Sequence, residues 1–150
     1  MKDQLRALQE TLYREIPITK HLGITVGSYD DKRLTLKAPI EPNRNHKQTA
    51  FAGSLNAIVT LAGWGLLWLV LLERDLATTI VIQDSVISYL QPVTNDFSAQ
   101  CCKPDSASLA HFENMLRKKG KARLELAAEI DEGEEVAVSF KGRYVALLNK

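Results

Sequence analysis

The feature that most restricts this chain is a long run without charge. Between Lys47 and Glu73 there is no Asp, Glu, Lys or Arg, and the stretch NRNHKQTAFAGSLNAIVTLAGWGLLWLVLL, Asn43 to Leu72, reads as a polar loop feeding a helix. At 1.5 Å rise per residue such a helix is about 35 Å long and apolar on nearly every side. It must be enclosed, by lipid or by its own chain. Its few small or polar residues, Gly53, Asn56, Ala57, Thr60 and Gly63, recur at spacings of three and four, so they form one stripe.

The flanking sequence favours enclosure by the chain itself. Leu5, Leu8, Leu12 and Ile16 predict an amphipathic helix over 3–16, with Asp3 as its cap and Pro17 as its stop. Ile24–Tyr29 and Arg33–Ala38 read as strands joined at Asp30 and Asp31. After the central helix, Thr78–Leu90 is dominated by β-branched and aromatic residues and predicts a long strand. Phe97–Lys103 predicts a second, closed by Pro104. Residues 106–119 return to helical spacing before Gly120, and Ala122–Ile130 and Glu135–Leu148 alternate as a hairpin around 131–133. A bilayer-spanning reading fits the length of the apolar run, with Arg44 and Lys47 before it. However, Asn56 and Thr60 lie inside the run, and a bilayer would split the strands on its two sides. No membrane association is therefore expected.

The expected fold is α+β: one antiparallel sheet of six strands wrapped around a long buried central helix, in a single domain over 1–150. Nineteen basic against eighteen acidic residues exclude the charge excess that nucleic-acid binding requires. Cys101 and Cys102 are adjacent and point to opposite faces of a strand, so no disulfide is expected. With no apolar run in MKDQLRALQE, a cytoplasmic location is expected.

The stretch Asn45-His46-Lys47-Gln48-Thr49-Ala50-Phe51-Ala52-Gly53-Ser54 resembles the turn that opens the central helix of the hotdog thioesterases. AFAGSL (50–55), LAGWGLL (61–67) and SYLQPV (88–93) resemble the thioesterase-like domain that follows an acetyltransferase domain in some bacterial proteins. The similarity spans nearly the whole chain. Neither a second domain nor a glycine-rich CoA pyrophosphate loop is found here, so acetyl transfer is not expected. The resemblance implies the hotdog fold and hydrolysis of an acyl-CoA or acyl-carrier-protein thioester, with CoA or phosphopantetheine as part of the substrate and no cofactor. It also implies a homodimer or larger assembly, with the stripe of Asn56, Thr60 and Gly63 lining an acyl tunnel or its mouth and Phe51 among the substrate-binding residues.

Thioester hydrolysis expels a good leaving group, so two tasks remain: holding the developing oxyanion and positioning water. The helix start at Gly53 and Ser54 suits the first task, although a tight-turn glycine and a plain helix cap would look the same. For the second, Thr60 stands where many family members carry a carboxylate; its hydroxyl can orient water but cannot act as a base. Asn45 can likewise hold water. Asp84 is the remaining carboxylate candidate: strict alternation puts it with Ile80, Ile82 and Val86, where burial would raise its pKa. An edge acid paired with an arginine is the competing reading. His46 beside Lys47 is expected to be solvated, no His, Cys or acid spacing suggests a metal site, and neither cysteine has an activating partner. Arg117, Lys118 and Lys119, with Lys121 and Arg123, either complement a helix dipole or bind CoA phosphates or a carrier protein. A non-catalytic acyl-thioester binder and a dehydratase using His46 with Asp84 are the alternatives.

Overall fold

The computed structural model describes residues 2–150. Helices α1 (Lys2–Glu15) and α2 (Ile18–His21) precede strands β1 (Thr25–Tyr29) and β2 (Arg33–Ala38). A 3-10 turn at Glu41–Asn43 leads to α3 (Ala52–Glu73), then β3 (Thr78–Tyr89), β4 (Phe97–Cys102), α4 (Ser106–Lys119), β5 (Lys121–Glu132) and β6 (Glu135–Leu148). The six strands form one sheet in the order β1-β2-β4-β5-β6-β3, every pairing antiparallel. α3 packs on β2, β4, β5, β6 and β3. This is the hotdog architecture, and the charge-free helix that is long enough to cross a bilayer is here the buried core.

The local causes are ordinary. β5 alternates exposed and buried residues almost without exception, so one face meets α3 and the other meets solvent. Asp105 caps α4 by accepting the Ser108 amide at 2.7 Å, and Gly120 ends it in the left-handed region at φ 74°. α3 has almost no polar face and buries thirteen residues, among them Ile58, Val59, Leu66, Leu67 and Leu69. Burial at roughly 25 cal/mol per Å² of apolar surface makes this the segment around which the sheet closes.

The register shifts at Val26/Ser28, at Ile130/Asp131 and, with a consequence for the candidate site, in β3. Ile82 faces Tyr144 on β6, but the next pair is Asp84 with Arg143, so Gln83 is an extra residue in a bulge. The bulge turns Asp84 onto the outer, solvent face, away from the face of Ile80 and Ile82. The expected apolar burial of Asp84 is therefore incorrect.

Candidate functional site

The start of α3 is left open. Phe51 occupies the cap position in extended conformation and supplies no side-chain hydrogen bond. Its carbonyl accepts from both Ser54 N–H (3.0 Å) and Leu55 N–H (3.1 Å). Among the described residues, the Ala52 and Gly53 amides have no acceptor. Two donors thus sit at the positive end of a 22-residue helix dipole, where a developing anion is stabilised. The free amides are those of Ala52 and Gly53, not that of Ser54, whose side chain is also buried.

The loop before the helix is fixed by its asparagines. Asn43 donates its amide to the Leu22 and Pro39 carbonyls (2.9 and 2.7 Å), and its own carbonyl accepts Phe51 N–H at 2.7 Å. Asn45 accepts the Lys47 and Thr49 amides through its side chain and donates to Thr49 Oγ1 at 2.8 Å. Its polar atoms are committed to shaping the loop, which argues against Asn45 as a water ligand. Ala50 N–H donates to Val93 O at 2.8 Å, and the Tyr89 hydroxyl donates to Ala52 O at 3.3 Å. These contacts leave a cleft of about 320 Å³ beside the helix start, lined by Ala52, Leu55, Tyr89, Leu90 and Pro92. Phe51, the residue before Ala52, is 55% exposed. A Cβ on Gly53 would come within 2.3 Å of the Phe51 ring, so the glycine is what lets that ring fold across the first turn.

Further along the stripe, Thr60 donates its hydroxyl to Asn56 Oδ1 at 3.1 Å, one turn away, and both side chains are half-buried. Gly63 departs from its expected role. A Cβ there would lie 2.2 Å from the Tyr144 hydroxyl, so Tyr144, not an acyl chain, fills its space. That hydroxyl donates to Thr60 O at 2.7 Å, and burial pushes its pKa up, keeping it neutral.

Asp84 accepts Arg143 Nε at 2.7 Å, with a second Arg143 nitrogen on its other oxygen. This hydrogen bonding holds its carboxyl below the usual range, opposite to what a general base near neutral pH needs. Arg117 is paired with Glu113 at 2.8 Å, and Lys118 and Lys119 lie exposed beside it at the end of α4. α4 meets the C-terminal end of α3 through Arg74 and Glu113, and α3 spans about 33 Å at 1.5 Å per residue. Within one chain the basic residues are thus at the end opposite the cleft.

The family model described as "Putative thioesterase (yiiD_Cterm)" matches residues 5–148. The chain belongs to this thioesterase family. A protein with unknown function from Chlorobaculum tepidum TLS is 35% identical, with 96% of this chain and 94% of that one covered and a TM-score of 0.92. The putative thioesterase from Shewanella oneidensis is 32% identical over 98% and 99% of the two chains, with a TM-score of 0.87. A thioesterase from Haemophilus influenzae shares the fold at 14% identity, covering 96% of this chain and 90% of that one, with a TM-score of 0.71.

For a thioesterase-family chain, the structure brings together the helix start, Phe51, Asn56 and Thr60 along one side of α3 and leaves Asp84 and the α4 cations apart from them. Two contributors were not foreseen from sequence, the Ala52 amide and Tyr89. The signal for Tyr89 is its place at the end of the long strand, just before the Gln91-Pro92 break that turns the chain beside the helix start. Cys101 is buried, which pushes its thiol up to about 12 and removes it as a nucleophile, and Cys102 is exposed. Among the described residues no group of three or more His, Cys, Asp or Glu side chains is placed to hold a metal.

Proposed function

We propose that this protein hydrolyses acyl thioesters of CoA or of a phosphopantetheine carrier, as a homodimer in the cytoplasm. The observation that carries this reading is the uncapped start of α3, with two unoccupied amides next to a cleft that Ala52 lines. The thioester carbonyl oxygen would accept from Ala52 and Gly53 N–H as it becomes an oxyanion; one such donor contributes roughly 3 kcal/mol to the barrier. Water adds to the carbonyl carbon and gives up its protons to bulk solvent, the C–S bond breaks with collapse of the oxyanion, and the products leave as carboxylate and thiolate with little need of an acid. The Asn56 amide and Thr60 hydroxyl, held together along the stripe, orient that water. No carboxylate lies on the stripe, so catalysis would rest on oxyanion stabilisation and water placement.

The second copy is supported by β3, an edge strand of twelve residues with Val81 46% and Val86 73% exposed. Two such edges related by a two-fold axis through the strand centre would pair antiparallel, setting Val81 opposite the partner's Val86. Cys101 and Cys102 are both free, which suits a reducing compartment.

A panel of acyl-CoAs with a thiol-trapping dye, run on wild type, Thr60→Ala and Ala52→Pro, tests the hydrolase. Turnover that falls in both variants is expected. The missing stripe carboxylate favours one other reading, a thioester binder without catalysis; tight acyl-CoA binding with no thiol released by wild type would establish it.

A further inference from the structure

A second cleft, of about 550 Å³, lies between α4 and the start of β5. Phe112, Met115 and Ala122 give it an apolar floor, and Lys119, Lys121 and Arg123 stand around it. Among the described residues none of these three cations has an acid within salt-bridge distance. Glu113, the acid on that helix, has its oxygens taken by Arg74 and Arg117. A helix dipole accounts for cations in the last turn of α4, but not for Lys121 and Arg123, which lie beyond it on β5. We propose that this groove holds the phosphate-bearing adenosine end of CoA while the thioester lies at the helix start of the partner subunit.

The apolar floor suits the face of a purine ring, and the three unpaired cations suit its phosphates. Position selects the partner's site. In the same chain the groove and the helix start are at opposite ends of α3, about 33 Å apart. Across a β3–β3 seam, the start of one β3 lies beside the end of the other. Thr79 aligns with Leu147 and Leu147 with Lys121, so the partner's Lys121 would stand three strand spacings from Tyr89, about 14 Å. A pantetheine arm is about as long as four extended residues, roughly 14 Å. A recess also fits a nucleotide better than the convex acidic surface of a carrier protein. The inference rests on the proposed thioesterase reading and on its dimer.

The test is the triple variant Lys119→Glu/Lys121→Glu/Arg123→Glu, with an unchanged melting curve as the check on folding. Calorimetry with adenosine 3′,5′-bisphosphate should show saturable binding to wild type, weakened by about tenfold or more in the variant. The KM for acyl-CoA should rise similarly with kcat retained, while acyl-pantetheine is handled alike by both proteins. At acyl-CoA well below the wild-type KM, the triple variant runs at about a tenth of the wild-type rate or less. Heterodimers formed by co-expressing it with Ala52→Pro should raise the rate to about a quarter of wild type, because half the dimers would hold one intact site. Absent bisphosphate binding, or equal KM values for acyl-CoA and acyl-pantetheine in wild type, overturns the groove while hydrolysis stands. A defect seen only with an acyl carrier protein also overturns it and assigns the cations to that partner. No recovery on mixing overturns the shared site. If wild type releases no thiol from any thioester, the hydrolase reading fails, and bisphosphate binding alone decides the groove.

Discussion

At the β1 edge of the sheet, the side chain of Gln9 does what a further strand would do. Its Oε1 accepts Val26 N–H at 2.7 Å, its Nε2 donates to Ile24 O at 3.3 Å, and the Tyr13 hydroxyl adds a third bond at 3.1 Å. At the β3 edge cover is confined to the start of the strand, where the Trp64 indole donates to Ile80 O at 3.2 Å. Among the described residues no side chain bridges that strand's N–H and C=O groups as Gln9 does. Twelve residues run along it, almost all exposed, with Val81, Ile82, Val86, Tyr89 and Leu90 among the largest exposed apolar groups of the molecule. An unprotected edge of that length invites pairing, and soluble proteins ordinarily blunt one with charge, proline or cover. One edge is closed within the chain, and the other, beside the open helix start, is the edge on which the proposed second copy would pair.

The sharpest way to break this contrast is to charge the open edge. Val81→Lys/Val86→Lys would set like charges opposite one another across the seam. Sedimentation should then show a monomer, and thioester turnover should drop by about a hundredfold or more. The next effect isolates the helix start. Ala52→Pro removes one free amide at the first helical position, where proline is tolerated and the preceding residue is already extended. Steady-state kinetics should show kcat lowered about 100- to 1000-fold in a protein that remains dimeric.

Smaller effects belong to the interior and to the closed edge. Gly63→Ala forces a methyl group against Tyr144 and should cost about 1–3 kcal/mol in urea unfolding, with activity per folded molecule retained. Gln9→Ala should cost about 1 kcal/mol and leave assembly unchanged. Least of all is Asp84→Asn. Arg143 lowers the folded-state pKa of Asp84, so its contribution is present above the unfolded value near ~3.9 and is lost as pH falls through the folded value. Melting curves should show a small deficit of the variant at neutral pH, shrinking in acid and in high salt, with turnover unaffected.

Much of this fold was legible because its elements are long and periodic. The alternation of β5, the charge-free α3 and the Gly120 stop each carry their own signal over many residues. The four-residue α2 and the 3-10 turn at 41–43 are too short to carry one. Gln83 hid its bulge because apolar residues continue on both sides of it, and alternation carried past it put Asp84 on the wrong face. Gly63 looked like room for a ligand, since nothing local reveals that Tyr144, eighty-one positions on, fills the space. The helix start was visible as a place but not as a pair of donors, because which amides are free depends on the Phe51 carbonyl taking two of them.

Residue-resolved amide exchange along β3 tests the completed edge most directly. In the native protein, the amides that point away from β6 should exchange as slowly as those bonded to it, because a second copy covers them. Outward amides that exchange like those of an exposed loop, while their neighbours stay protected, would contradict a site built between two copies.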